Sequence, residues 1–173
     1  MNSINIMTTR EEIKLRVEHE KSTSESIVAR CIGERGIAYC SPSTRENDFN
    51  GIDLIAINRK TLNKYTIDVK NSEDENRNTR NFLFTTINGV GKSYTEKKTD
   101  YYAFLNRDIS LGKDNVEIIM IASDRLKWII NTYKLTHYPS KRNKLSKYVL
   151  IPKTLAKKYA NNIMHWNNLN VNI

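Results

Sequence analysis

Two short segments with alternating side chains dominate the middle of the sequence, GIDLIAIN at 51–58 and KYTIDVKN at 64–71. Their period of two and their content of Ile, Val, Thr and Tyr are typical of β-strands. Only the turn RKTLN separates them. The sequence therefore predicts that they pair as a hairpin.

Both predicted strands carry an acidic side chain. In the second strand, alternation places Asp68 and Lys70 on the same face. In the first strand, Asp53 shares its face with Ile55 and Ile57, so an acid interrupts an apolar row. A carboxylate in that position is costly to bury unless a cation or a hydrogen-bond donor satisfies it. Folding of the hairpin is expected to bring Asp53 close to Asp68.

Two converging carboxylates and a backbone carbonyl form an oxygen-rich site that suits Mg²⁺ or Mn²⁺. A neighbouring lysine such as Lys70 can orient or deprotonate a water and offset the charge that develops on phosphate. These residues favour hydrolysis of a phosphodiester bond. The alternative is an ordinary ion pair between Asp68 and Lys70, since an Asp-x-Lys triplet alone is uninformative. An acid in an apolar strand, followed by the hairpin, favours the catalytic interpretation.

The segments on either side of the hairpin predict further helices and strands. A helix is expected over residues 22–35, ended by Gly36 as its C-terminal cap, and a weaker helix over 10–20. The first of these has four apolar residues at helical spacing on one face: Ile27, Val28, Cys31 and Ile32. Strands are expected at 37–40, 82–87, 100–106 and 117–122, the last nearly all apolar and therefore interior.

Two more helices are predicted in the second half of the chain. DRLKWIINTY would begin at Asp124 as its N-cap, and PKTLAKKYANNIM would be opened by Pro152. Together these elements predict an α/β fold with a central sheet. We interpret residues 1–173 as a single domain with a basic C-terminal part, 125–173.

Asp53 in GIDLIAI, followed by Asp68-Val69-Lys70 in YTIDVKNS, resembles the motif of the PD-(D/E)XK nuclease superfamily. Its small members include archaeal Holliday junction resolvases, restriction enzymes and some intron-encoded homing endonucleases. The likeness covers roughly residues 22–122, and its motifs are short. Ile52 stands where the family usually has proline, and the second acid is Asp where Glu is more usual. Neither departure removes a ligand.

This resemblance implies a restriction-endonuclease-like fold, in which helices flank a mixed central β-sheet. It also implies a Mg²⁺-dependent (or Mn²⁺-dependent) endonuclease that cleaves duplex or branched DNA. Asp53 and Asp68 would be metal ligands, and Lys70 would act on the attacking water.

The same resemblance implies a third catalytic acid from the first helix, which would be a direct or outer ligand of the metal. Glu25 occupies that place, because Gly36 and a short strand follow it at a spacing similar to that of the resolvases. Glu25 also fits a capping box, in which its carboxylate would accept a hydrogen bond from the backbone amide of Ser22. Glu18 and Glu20 are the alternatives if the helix is registered differently.

The formal net charge of +9 indicates an anionic partner. After Asp124 the sequence has no acidic residue, and its basic residues are interleaved with Trp and Tyr, which suits phosphate contact and stacking. GVGKS at 89–93 is not a P-loop, because Thr86 stands where that pattern needs glycine. We interpret it as a flexible loop that lets neighbouring lysines reach DNA. Seven basic residues are predicted to bind DNA: Lys92, Lys97, Lys98, Lys141, Arg142, Lys144 and Lys147.

The sequence gives little support for a disulfide, a zinc site, a membrane span or a secretory signal. Cys31 and Cys40 are expected to be free thiols, and His19, His137 and His165 share no ligand spacing. No stretch approaches the roughly 18 apolar residues of a membrane span. The first residues lack the apolar core of a secretory signal. A cytoplasmic or nucleoid-associated protein without membrane contact is therefore expected.

A non-catalytic nucleic-acid-binding module on the same fold is the alternative function. All charged positions of the motif are occupied, which favours the enzyme. Cutting both strands needs two sites facing each other, which fits a homodimer or higher homo-oligomer, although no residue demonstrates one. Junction resolution, homing, restriction and repair are not distinguished by the sequence.

Overall fold

The computed structural model describes residues 24–42, 51–71, 80–107, 111 and 115–167. Within these residues the fold is mixed α/β, built from two β-sheets and three helices. The predicted helix over 10–20 lies outside them, as do Glu18, Glu20, His19 and Ser22.

A mixed sheet of six strands forms the centre of the fold. Its strands, in both chain and spatial order, are β1 (Ala38–Pro42), β2 (Leu54–Asn58), β3 (Lys64–Asn71), β5 (Tyr101–Asn106), β6 (Asn115–Ala122) and β9 (Asn162–Asn167). Among the described strands of this sheet, only β3 and β5 run parallel, and every other neighbouring pair is antiparallel. The hairpin of β2 and β3 is therefore confirmed, as is the interior position of β6, which pairs on both sides.

A second, smaller sheet covers part of this one. It contains β4 (Asn81–Ile87), β7 (Tyr138–Pro139) and β8 (Lys147–Pro152), with β8 in the middle. The helices are α1 over residues 24–34, α2 (Ser123–Thr132) and α3 (Lys153–Lys158), and a 3₁₀ turn spans Tyr94–Glu96. The sequence predicted an extended β4 but neither β7 nor β8.

Helix α1 packs on one face of the large sheet. Its four apolar residues are buried, as predicted: Ile27, Val28, Cys31 and Ile32. They join a core with Leu54, Ile67 and Met120 from the sheet. Gly36 ends the turn after α1 with a φ of +66°, in the left-handed region that favours glycine, so its role as a C-terminal cap is confirmed. Cys31 and Cys40 are free thiols, as expected.

The opposite face of the large sheet is covered by the second sheet and by α2 and α3. Phe82 and Phe84 of β4 pack there against Tyr102 and Phe104 of β5, with the Phe84 and Tyr102 rings 5.1 Å apart. Among the described residues, this core includes side chains of β5 and β6 but none of β2 or β3. The start of β2 and the end of β3 therefore lie beside the part of the large sheet that the second sheet covers.

Two predicted helix boundaries are wrong. Helix α2 begins at Ser123 without a side-chain cap, and Asp124 lies inside its first turn. The Ser123 hydroxyl instead donates to the Thr99 carbonyl, which anchors the start of α2 beside β5. The last predicted helix stops at Lys158, and the residues expected to continue it form β9, because pairing with β6 overrides the local helical pattern. No helix in the described parts of the chain is long and apolar enough to cross a membrane.

Candidate active site

The register of the hairpin places Asp53 opposite Asp68. Leu54 pairs with Ile67 across β2 and β3, and the Asp53 amide donates to the Ile67 carbonyl at 3.0 Å. Both acids are buried, with 8% of Asp53 and 2% of Asp68 exposed. The hairpin therefore brings Asp53 and Asp68 to directly opposite positions, as the sequence predicts.

The surroundings of Asp53 oppose its negative charge. Burial, followed by the neighbouring Asp68 carboxylate, raises the pKa of Asp53 to about 7. The Val69 amide, which donates to Asp53 Oδ2 at 2.7 Å, and the Lys70 ammonium act in the other direction without reversing the shift. Asp53 is therefore a buried acid whose ionised form gains from any additional positive charge.

Glu25 lies on the partly buried side of α1, near the same position. Its carboxylate contributes to the raised pKa of Asp53, so the two acids are close enough to repel each other. Its predicted capping partner, Ser22, is outside the described residues. Within the described residues, no group of three or more His, Cys, Asp and Glu side chains is arranged to hold a metal ion. Glu25 is thus near the pair of aspartates without completing a three-ligand cluster.

Asp68 faces two ammonium groups. Lys70 Nζ lies 2.7 Å from Asp68 Oδ1, and Lys97 Nζ lies 3.4 Å from Asp68 Oδ2. These lysine side chains are 24% and 17% exposed, respectively. The cluster consequently combines acids and cations at the end of β3, partly shielded from water.

Lys97 belongs to this cluster, although the sequence suggested only a DNA contact for it. It is the C-terminal cap of the 3₁₀ turn and comes from a separate segment of the chain. Burial, followed by repulsion from Lys70, lowers its pKa despite the attraction of Asp68. No periodicity or motif links Lys97 to Asp68, so this contact could not be predicted from the sequence.

Tyr102 forms one wall of the cluster. It is the parallel partner of Asp68 in β5, and the Lys70 ammonium lies 6.0 Å from the centre of its ring. Burial and then the Asp68 charge raise the pKa of Tyr102, so its hydroxyl stays protonated. This neighbour was missed because the register of a parallel pair depends on the crossover between its strands.

The predicted burial of the Asp53 face is partly wrong. Ile55 is only partly buried and Ile57 is 40% exposed, whereas Leu54 and Ala56 on the other face belong to the core under α1. The second sheet covers β5 and β6 rather than β2. Asp53 therefore lies beside, rather than beneath, the described part of the second sheet.

The predicted DNA-binding residues fall in two places. Lys97 is in the cluster around Asp68, and Lys98 is exposed beside it. The others lie in two adjoining loops, 88–92 and 140–147, the second of which ends in Lys147, the first residue of β8. Asn143 joins the two loops by donating to the Gly89 carbonyl at 3.1 Å. The basic side chains of the second loop are exposed: Lys141, Arg142, Lys144 and Lys147.

The first of these loops, which GVGKS predicts to be flexible, forms a hydrogen-bonded turn. The Asn88 side chain accepts hydrogen bonds from the amides of Val90 and Lys92 at 3.1 and 2.8 Å. Tyr94, just beyond it, is buried against Phe84. The Lys92 amide is therefore part of this hydrogen-bonded turn.

No known protein family, characterised protein or solved structure gives a significant match to this chain.

Proposed function

We propose that this chain is a Mg²⁺- or Mn²⁺-dependent DNA endonuclease with a PD-(D/E)XK site. The observation that carries the proposal is the meeting of Asp53, Asp68 and Lys70 where β2 begins and β3 ends. Helix α1, the hairpin and the parallel strand β5 make a mixed sheet with a helix on one face, which supports a restriction-endonuclease-like fold.

The donor atoms of the cluster fit a small, hard cation. Mg²⁺ keeps several waters and binds through one or two carboxylates together with substrate phosphate, so a full protein cage is not required. Asp53 and Asp68 would hold the ion, and Glu25, whose charge acts on Asp53, would be a direct or outer ligand. The pKa of about 7 for Asp53 fits a site built to receive positive charge. When bound, the ion would supply Lewis-acid activation of water and neutralise charge on the phosphate.

The remaining roles follow from the positions of the side chains. Lys70, held by Asp68 Oδ1 at 2.7 Å, would orient the attacking water and stabilise the developing negative charge. The apolar ring of Tyr102 limits the access of bulk water on one side. The exposed cations of loop 140–147 would bind the DNA backbone beside the segment that leads to the cluster.

A non-catalytic nucleic-acid-binding module is the second candidate. It is favoured by one observation, that both oxygens of Asp68 already face lysines. A set of structural ion pairs at the edge of a sheet would look the same. The two candidates therefore differ in whether Lys70 acts on a substrate.

Nicking of supercoiled plasmid separates them. The parent should nick DNA in Mg²⁺ and not in EDTA, and Lys70→Ala should lower the rate by at least about a hundredfold, since positioned proton transfer contributes that much. Lys64→Ala, which removes an exposed lysine at the other end of β3, is the matched control and should cut at the parental rate. Tight DNA binding without nicking under any of these conditions would favour the binding module.

A further inference from the structure

We propose that Lys97 is an internal counter-cation, which occupies the metal-facing side of Asp68 and is exchanged for the divalent ion when that ion binds. This inference rests on the proposed function, because it assigns a metal ligand to Asp68. It goes further by giving Lys97 two positions, one on the carboxylate and one on the phosphate of a bound substrate.

The two lysines on Asp68 are held differently. Lys70 is in the same strand as Asp68 and makes the shorter contact, of 2.7 Å. Its ammonium group also lies over the Tyr102 ring, 6.0 Å from the ring centre. Lys97 arrives from another segment and makes the longer contact of 3.4 Å. Lys97 is therefore the more weakly held of the two cations.

Asp68 offers only two oxygens, and each faces an ammonium group. A divalent ion shared between Asp53 and Asp68 would need one of these oxygens and would repel the cation beside it. Lys70 is fixed by its own strand. The ion would consequently displace Lys97 from Oδ2.

The backbone around Lys97 leaves room for this side chain. Gly51 has a φ of +74°, and a Cβ at that position would lie 2.8 Å from both Cδ and Nζ of Lys97. The Thr99 hydroxyl donates to the Gly51 carbonyl at 2.8 Å, which ties the lysine segment to the residues just before Asp53. The lysine backbone is thus fixed against the start of β2, while the flexible end of the side chain crosses the open face of a glycine.

After displacement, the Lys97 ammonium group can move no farther from its own Cα than the length of the lysine side chain. It therefore stays near Asp68. A phosphate bound to the ion would be the nearest negative charge. In this exchange Lys97 pairs first with Asp68 and, once the ion is bound, with the phosphate of the DNA that the sequence predicts it to contact.

The test is Mn²⁺ binding to the full chain without DNA, measured by isothermal titration calorimetry. Lys97→Met removes the competing charge and should tighten Mn²⁺ binding by about tenfold, whereas Lys97→Arg keeps the charge and should bind as the parent does. Lys98→Met is the matched control, because Lys98 is adjacent and exposed and should leave the Kd unchanged. An unchanged or weaker Kd for Lys97→Met, with Mn²⁺ binding to the parent intact, overturns the exchange and leaves the nuclease proposal standing. Absence of Mn²⁺ binding to the parent, Lys97→Met and Lys97→Arg alike overturns both.

A second measurement uses the unmodified parent and does not depend on the folding of any variant. Lys97 is 17% exposed, so its acetylation by an amine-reactive reagent should be slow in EDTA. If Mn²⁺ displaces the side chain, the rate at Lys97 should rise at least threefold, read by peptide mass spectrometry, while the rate at Lys98 stays constant. An equal or lower rate at Lys97 in saturating Mn²⁺ contradicts the exchange.

Discussion

Asp53 and Asp68 are identical side chains in neighbouring strands, but their surroundings give them different properties. Asp68 has an ammonium group near each oxygen, at 2.7 and 3.4 Å. Asp53 accepts the Val69 amide, yet burial and like charge still raise its pKa to about 7. The charge that a metal ion would relieve is therefore centred on Asp53 rather than on Asp68.

Replacement of Asp53 by asparagine tests this difference. Asp53→Asn keeps an oxygen for the Val69 amide but removes a buried charge, so in EDTA at pH 8 the variant should be more stable than the parent by on the order of 1 kcal/mol. Mg²⁺ should raise the Tm of the parent and not that of the variant. Asp124→Asn, at a carboxylate that is 99% exposed, is the control and should respond to Mg²⁺ as the parent does. Equal stabilisation of the parent and Asp53→Asn by Mg²⁺ would count against the ligand assignment.

Glu25 has two interpretations that one substitution separates. As a capping residue it contributes on the order of 1 kcal/mol, and glutamine preserves the acceptor, so Glu25→Gln should then be nearly silent. As an acid of the site it loses its charge, and nicking should fall by at least about a hundredfold at constant Tm. We expect the loss of activity, because Glu25 already acts on the pKa of Asp53. Cleavage at the parental rate would assign the third acid elsewhere, with Glu20 as the next residue to test.

Strand alternation was enough to place Asp68 and Lys70 on one face, and the turn between β2 and β3 was enough to bring Asp53 opposite them. These are local relations. Lys97 and Tyr102 reach the cluster only through the crossover from β3 to β5, which has no sequence period. The sequence also placed Ile57 on a buried apolar face, but 40% of it is exposed. Its burial depends on where a sheet from a distant part of the chain packs, which strand alternation does not predict.

At the scale of elements, the last predicted helix shows how tertiary pairing overrides a local pattern. Residues 162–164 fit the apolar spacing of a helix, but α3 stops at Lys158 and the Asn161 side chain accepts the Ala122 amide at 2.8 Å. That hydrogen bond begins the pairing of β9 with β6. Strand propensity depends strongly on such neighbours, so the sequence alone predicted α1, β2 and β3 better than this segment.

A polar cluster connects α3 to the large sheet. Glu117 of β6 is buried, with Lys157 Nζ of α3 at 2.7 Å and the Asn106 amide at 3.0 Å from its Oε1. Burial alone would raise the pKa of Glu117, but the hydrogen bonds from Lys157 and Asn106 outweigh it and lower the pKa. The ionised carboxylate is therefore favoured in the folded state.

This shift predicts a pH-dependent contribution to stability. Because the folded pKa is lowered, the stabilisation is present above the unfolded pKa and is lost as the pH falls through the folded value. Glu117→Gln should lower the free energy of unfolding by about 1–2 kcal/mol at pH 7, and by less at pH 3, measured by urea denaturation. Glu34→Gln, in an exposed pair with Arg30, is the control and should change little at either pH. A Glu117→Gln deficit that is the same at both pH values would contradict the charged interaction.

For the molecule as a whole, positive charge is not spread evenly over the described surface. Some cations make internal contacts, as Lys157 does with Glu117, and Lys153 lies 5.5 Å from the centre of the Phe82 ring. Those of loop 140–147 are exposed, and Asn143 and Ser146 fix this loop beside residues 87–89. From residues 87–89 the chain runs through the 3₁₀ turn (Tyr94–Glu96) to Lys97. The exposed basic residues of loop 140–147 and the cluster of Asp53, Asp68, Lys70 and Lys97 are thus linked by one short, structured segment.

The salt dependence of DNA binding tests that surface independently of the metal site. Changing Lys141, Arg142, Lys144 and Lys147 together to alanine should flatten the slope of log K against log salt by about one unit for each phosphate that is no longer neutralised. Binding to duplex DNA should be measured in EDTA, where cleavage does not interfere. The charge-matched comparison is Lys141→Ala/Lys144→Ala against Lys60→Ala/Lys64→Ala, two exposed lysines in and beside the turn between β2 and β3. Each pair removes two charges, so equal slopes would mean that net charge alone attracts DNA, whereas a change confined to the first pair identifies loop 140–147 as the contact surface.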